Sequence, residues 1–166
     1  TLEVSELDIR KSPNLIFSDN PESLSECNFF IVSVPTPIND DNSPNLKPLE
    51  SASKLIADYI SDGDIIVYES TVYPGATEEV CVPILEEFSK LKFNKDFFVG
   101  YSPERINPGD RSHRLPDIVK IVSASNEYSA TLVNDVYSEI IAAGTFMVSS
   151  IKVAEAAKVI ENTQRV

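Results

Sequence analysis

The chain has 166 residues, 42% of them hydrophobic and 24% charged, with a formal net charge of −12 at pH 7. That length suits one domain and is too short for a complete two-domain dehydrogenase, kinase or synthetase, and the acidic balance argues against general binding to nucleic acid or anionic membranes, which takes basic surface. No run approaches the roughly 20 apolar residues of a membrane span, and residues 1–10 carry no signal-peptide pattern, so no membrane insertion is expected.

The elements follow in chain order. Residues 29–34 are a short, almost wholly apolar run stopped by Pro35, as expected of a strand buried on both faces of a parallel sheet. Residues 35–48 form a Pro/Asn/Asp-rich loop. Residues 49–60 have helical spacing in Leu55, Ile56, Tyr59 and Ile60, ended by the turn Asp62-Gly63-Asp64. Residues 65–68 read as a second buried strand. Residues 74–90 read as a helix, with Pro74 in its first turn, Glu78 and Glu79 complementing the dipole, and Pro83 predicting a kink or break. Residues 97–99, 118–122 and 146–148 read as three further strands, the last short and at a sheet edge. Residues 104–116 are polar and turn-rich, residues 126–142 form a helix stopped near Gly144, and a last helix runs from Ile151 to the end of the chain. Strand–helix alternation predicts the α/β class: right-handed crossovers and a parallel sheet with helices on both faces. Ligands of such sheets sit outside the carboxyl ends of the strands.

Charge and cysteine usage refine this. Residues 1–100 carry 18 acids against 7 bases and residues 101–166 carry 8 against 7, so the last third is the better place to receive an anion. Cys27 and Cys81 stand apart, with no CxxC and no Cys/His cluster, which fits two buried thiols in a reducing cytoplasm better than a disulfide. His113 is the only histidine, so neither a His-based zinc site nor a Ser-His-Asp triad is supported, and no metal site is expected.

Four constellations fall at strand ends or on the last helix. Val34-Pro35-Thr36-Pro37 is a rigid turn offering one hydroxyl, or simply a stiff loop. Glu69-Ser70-Thr71-Val72-Tyr73-Pro74-Gly75 joins a buried strand to a helix start, where free N–H groups attract anions and hydroxyl-rich ligands, or where Thr71 merely caps. Tyr101-Ser102-Pro103-Glu104-Arg105-Ile106-Asn107-Pro108-Gly109-Asp110 brings an acid, a base and an amide to a third strand end, or is an exposed loop. Arg111, His113, Arg114 and Lys120 beyond it fit either a phosphate-binding rim or a solvated charge run. On the last helix Glu155, Lys158 and Asn162 share one face of an otherwise mostly apolar segment, a stripe that lines a cavity or lies in water. None of the five glycines forms GxGxxG or GxxxxGK[ST].

Taken together and in order, Val34 to Pro37, Tyr68 to Glu79, Tyr101 to Asp110 and Lys158 to Arg165 resemble the UDP-glucose/GDP-mannose dehydrogenase family, most closely its branch oxidising UDP-N-acetylhexosamines. The resemblance covers nearly the whole chain. It implies a partial Rossmann-like parallel sheet followed by the start of a long central helix: residues 1–149 as the C-terminal part of an NAD-binding domain, residues 150–166 as the start of a helical domain for dimerisation and substrate binding. The family's glycine loop precedes the segment matching residues 1–5, and its catalytic cysteine follows the last helix. Neither Cys27 nor Cys81 inherits that role, and the isolated chain is expected to be inactive.

The implied reaction is a C6 alcohol oxidised to the uronate by two hydride transfers to NAD through a cysteine thioester, in a cytoplasmic homodimer supplying surface-polysaccharide precursors. By position, Lys158 and Asn162 match the catalytic lysine and its amide partner, Glu104 an acid–base glutamate, and Thr71 a threonine orienting water or cofactor. Val34, Pro35, Thr36, Ser70 and Thr71 would contact NAD; Glu104, Arg105, Asn107, Lys158 and Asn162 would contact the UDP-sugar. Pro108 stands where glucose-oxidising relatives carry a second glutamate, which favours the N-acetylhexosamine branch. The rival from another class is a non-catalytic α/β binding module, which requires a closed sheet edge and a solvent-facing Glu155/Lys158/Asn162 stripe. A dehydrogenase of the 6-phosphogluconate type shares the fold but not these loop motifs.

Overall fold

Five strands hydrogen-bond in chain order in a computed structural model that describes residues 5–106 and 115–164, apart from the side chain of Asp8. They are β1 (Phe29–Val32), β2 (Asp64–Tyr68), β3 (Phe97–Tyr101), β4 (Lys120–Ala124) and β5 (Thr145–Met147). The helices are α1 (Glu6–Arg10), α2 (Lys47–Ala57), α3 (Val82–Ser89), α4 (Glu127–Ile140) and α5 (Ile151–Gln164). β1, β2 and β3 run parallel, as do β4 and β5. β3 and β4 are antiparallel, with Gly100 opposite Ala124 and Tyr101 opposite Ser123. The sheet is thus the expected α/β sheet except at this pair. A parallel return needs a crossover helix, and among the described residues the β3–β4 connection holds only the short 3-10 turn Leu115–Asp117.

Period-two alternation sorts the strand side chains into two layers. On one side Ile66 and Tyr68 of β2 join Phe30, Val32, Phe97, Val99 and Tyr101 against Leu49 and Ile56 of α2, Leu85 of α3, and Ile151 and Ala154 of α5. On the other, Ile65 and Val67 meet Val122 and the α4 residues Val133 and Tyr137, with Ile141 just beyond the helix. β2 is buried along its whole length, as its unbroken apolar run predicts. β1 is shorter than its run, ending at Val32 before Pro35, which withholds an N–H and restricts Val34. Among the described residues β1 pairs only with β2, and Ile31 is 48% exposed. Cys81 is buried as expected, but Cys27 is exposed, lying just after the 3-10 turn Pro21–Glu26 rather than in the core.

Local chemistry accounts for the helix ends. Asn126 and Ser129 form a reciprocal capping box at the start of α4. The break predicted at Pro83 takes the form of a wide π turn, Thr77–Cys81, leading into α3. Pro83 has no N–H to give the carbonyl four residues back, so the chain loosens before it. Among the described residues no helix is long and apolar enough to cross a membrane.

Candidate functional site at the carboxyl ends of the strands

Register brings three strand ends level: Val32 pairs with Tyr68, and Tyr68 with Tyr101. The residues that leave the sheet there line a cleft of about 380 Å³: Ser33, Val34, Pro35 and Thr36 after β1, Glu69, Ser70 and Thr71 after β2, and Glu104 after β3. The first three constellations therefore meet at one place. Buried hydrogen bonds fix the loops to each other. Ser70 Oγ donates to the Val34 carbonyl at 2.6 Å, and the Tyr101 hydroxyl donates to the Ser70 carbonyl at 3.1 Å. Burial, then the charge of Glu155, pushes the Tyr101 hydroxyl above the ordinary tyrosine range, so it stays a donor. Thr36 Oγ1 is buried and has no hydrogen-bond partner, which a polar ligand in the cleft would supply. Thr71 is exposed at the rim.

Glu104 turns its carboxylate back on its own loop, with Oε1 accepting from the backbone N–H of Arg105 at 2.6 Å and of Ile106 at 2.8 Å. Its carbonyl accepts from Lys158 Nζ of α5, residues 54 positions apart in sequence. Arg105 reaches sideways instead: Nε donates to Glu161 Oε1 at 3.0 Å and Nη1 to the Val119 carbonyl at 2.9 Å. Asn107, Arg111, His113 and Arg114 lie outside the described residues.

The shared stripe on α5 divides along its length. Glu155 is 0% exposed, and its two oxygens accept from the N–H groups of Gly75 at 2.5 Å and Thr77 at 3.0 Å. It caps the start of the π turn. Lys158, 7% exposed, reaches the cleft wall, while Asn162 is exposed. A stripe lying wholly in water, which the binding-module reading requires, is therefore excluded for its first two members, and the exposed Ile31 does not fit a closed edge.

Sequence reading missed one cluster. Lys120, assigned to a phosphate rim or a charge run, is neither. It is buried, with Nζ 3.0 Å from Glu69 Oε1 and 3.7 Å from Glu104 Oε2. The Tyr137 hydroxyl donates to Glu69 Oε1 at 2.6 Å, and burial, then the Glu69 charge, pushes that hydroxyl far up. The available signal was a charged residue inside the apolar strand run Ile118 to Val122.

Comparison with known proteins finds a family match and several relatives. Residues 3–141 match the family model for the NAD-binding domain of UDP-glucose/GDP-mannose dehydrogenases. The chain is 59% identical over 165 residues to a UDP-N-acetyl-D-glucosamine 6-dehydrogenase of Pseudomonas aeruginosa, covering 99% of this chain and 39% of that protein. It is 54% identical to the protein CapL of Staphylococcus aureus, with the same coverage of each. The structure of the UDP-D-ManNAc dehydrogenase from Pyrococcus horikoshii superposes with a TM-score of 0.82 at 33% identity, over 89% of this chain and 35% of that one. The chain thus spans about two-fifths of the length of these curated relatives.

Proposed function

The chain belongs to the UDP-glucose/GDP-mannose dehydrogenase family, and on that premise we propose that the protein carrying it oxidises the C6 alcohol of a UDP-N-acetylhexosamine to the uronate in two hydride transfers. The 59% identity to a UDP-N-acetyl-D-glucosamine 6-dehydrogenase supports this substrate class. The observation that carries the reading is the meeting of Lys158 with the Glu104 loop at the strand-end cleft.

NAD is the family's cofactor and supplies a hydride acceptor when bound. The residues present fit it: a cleft at parallel strand ends, an unpaired buried Thr36 hydroxyl, and small polar side chains at Ser70 and Thr71. In this reading Val34, Pro35, Thr36 and Ser70 hold the cofactor against the ends of β1 and β2, and Thr71 orients it or a water at the rim. Lys158 stabilises negative charge developing on the sugar oxygen. The Glu104 carbonyl orients its ammonium toward the cleft wall. Asn162, one turn further along α5, adds an amide donor when substrate covers that face. Glu104, held through Oε1, exchanges protons with substrate or water. Arg105 and Asn107 complete the sugar-nucleotide side.

Neither cysteine lines this cleft, so the 166 residues alone are proposed to turn over no substrate. Residues 1–149 act as part of the NAD-binding domain and residues 150–166 begin a central helix. The exposed Val153, Val159 and Ile160 of α5 suit packing against a second copy in a homodimer. We propose further that the product serves surface polysaccharide and that the enzyme works in the cytoplasm. In the full-length protein Lys158→Ala should lower kcat for a UDP-N-acetylhexosamine by about 10²–10³-fold, read from NADH absorbance; an unchanged kcat overturns the assignment.

A further inference from the structure

We propose that Lys120 is a positioning residue of this cleft, holding Glu104 and Glu69 together on its wall and fixing the direction of Glu104 Oε2. Lys120 takes this role only if Glu104 is the acid–base residue proposed above. Its side chain is 3% exposed, although it carries a charge and sits on a strand. Nζ lies 3.0 Å from Glu69 Oε1, 3.7 Å from Glu104 Oε2, 3.4 Å from the Pro103 carbonyl and 5.3 Å from the centre of the Tyr137 ring. Groups from three elements face this ammonium: Glu69 follows β2, Glu104 follows β3, and Tyr137 comes from α4.

Glu69 and Glu104 both line the cleft. The Glu69 side chain is 17% exposed and that of Glu104 40%; two carboxylates on one wall repel each other, and a buried ammonium between them offsets the repulsion. The two oxygens of Glu104 are then used differently. Oε1 is held by the Arg105 and Ile106 N–H groups. Oε2 lies 3.7 Å from the Lys120 ammonium, beyond hydrogen-bond distance, so the ammonium acts on that oxygen through its charge. Glu69 is fixed in turn by the Tyr137 hydroxyl at 2.6 Å, so the ammonium is anchored on its far side and cannot swing fully onto Glu104. An ammonium that only stapled β4 to Glu69 would have no consequence at Glu104. The positioning role makes the two residues energetically coupled during turnover.

The test is a double-substitution cycle in the full-length protein, with Lys120→Met, Glu104→Gln and the pair. Kinetics with NAD and a UDP-N-acetylhexosamine are followed by NADH absorbance, and NAD binding by calorimetry. Glu104→Gln should cost about 10²-fold in kcat and Lys120→Met about tenfold, with KM and Kd for NAD within about twofold of the parent. In the pair, Lys120→Met should add less than about threefold, because it acts through Glu104. Losses that multiply in the pair overturn the proposal, as does a Lys120→Met variant with lowered thermal stability and unchanged kcat. If Glu104→Gln leaves kcat intact, the acid–base reading fails and takes this proposal with it; if Glu104→Gln is costly but uncoupled, only this proposal fails. Should Lys120→Met not fold, Lys120→Gln, which keeps a hydrogen-bond donor and removes the charge, enters the same cycle with the same expected coupling.

Discussion

Cys81 is 0% exposed beside Tyr68 and Ser53, and burial pushes its thiol up from 9.0 to about 11. A thiol held neutral is a poor nucleophile, so iodoacetamide at about pH 8 should modify the exposed Cys27 and spare Cys81 until the protein unfolds, as peptide mass mapping would show. The same burial has a pH signature. The folded state favours the protonated thiol, so its stabilisation is complete below 9.0 and is lost as pH rises through about 11. Thermal midpoints should fall over that window, and Cys81→Ala should remove the part of the decline that precedes tyrosine ionisation. Residue identity alone carried some of this. The lack of a Cys/His cluster was legible, but which cysteine was buried depended on the 3-10 turn ahead of β1, whose polar sequence gives no periodic signal. Spacing likewise put Glu155, Lys158 and Asn162 on one face. How deep each would lie was set by where α5 meets the sheet, a tertiary fact.

At the scale of elements, the junction of the π turn with α5 is tightly held. Gly75 has φ +101°, and a Cβ there would come within 2.6 Å of Glu79 Oε1 and 3.0 Å of Lys152 Cε. Its N–H also meets the buried Glu155 carboxylate. Gly75→Ala should therefore destabilise the protein by about 1–3 kcal/mol through backbone strain, seen as a lower urea midpoint with an unchanged slope; an unchanged midpoint would show that the turn is not strained. Sequence put Pro74 and Gly75 in the first turn of a helix over 74–90, where the structure has a turn ahead of the π turn, and read the helix break from Pro83. It could not supply Glu155 as the cap, because an acid in an apolar helix reads equally as solvated stripe or buried partner. The antiparallel β4 was illegible for a related reason. The stretch 104–116 read only as polar and turn-rich, and strand direction comes from the geometry of the return.

Across the whole molecule, the register that levels the ends of β1, β2 and β3 turns three separate loop motifs into one cleft, and Lys158 of α5 hydrogen-bonds the Glu104 loop on its wall. The strand–helix alternation made the sheet legible, since buried parallel strands announce themselves as unbroken apolar runs, and the cleft lies at the carboxyl ends of those strands. What stayed hidden was the charge network beneath the cleft, because ion pairs between distant segments leave no local pattern. The central claim is that this cleft serves a four-electron oxidation of a UDP-N-acetylhexosamine. It is tested most directly by the stoichiometry of turnover in the full-length protein, measured as NADH formed per sugar nucleotide consumed, with UDP-N-acetylglucosamine, UDP-N-acetylgalactosamine, UDP-glucose and GDP-mannose offered separately. About two NADH should form per uronate with at least one of the N-acetylhexosamines, with much slower turnover of the other two nucleotides. One NADH per sugar, or turnover confined to UDP-glucose or GDP-mannose, would contradict that claim.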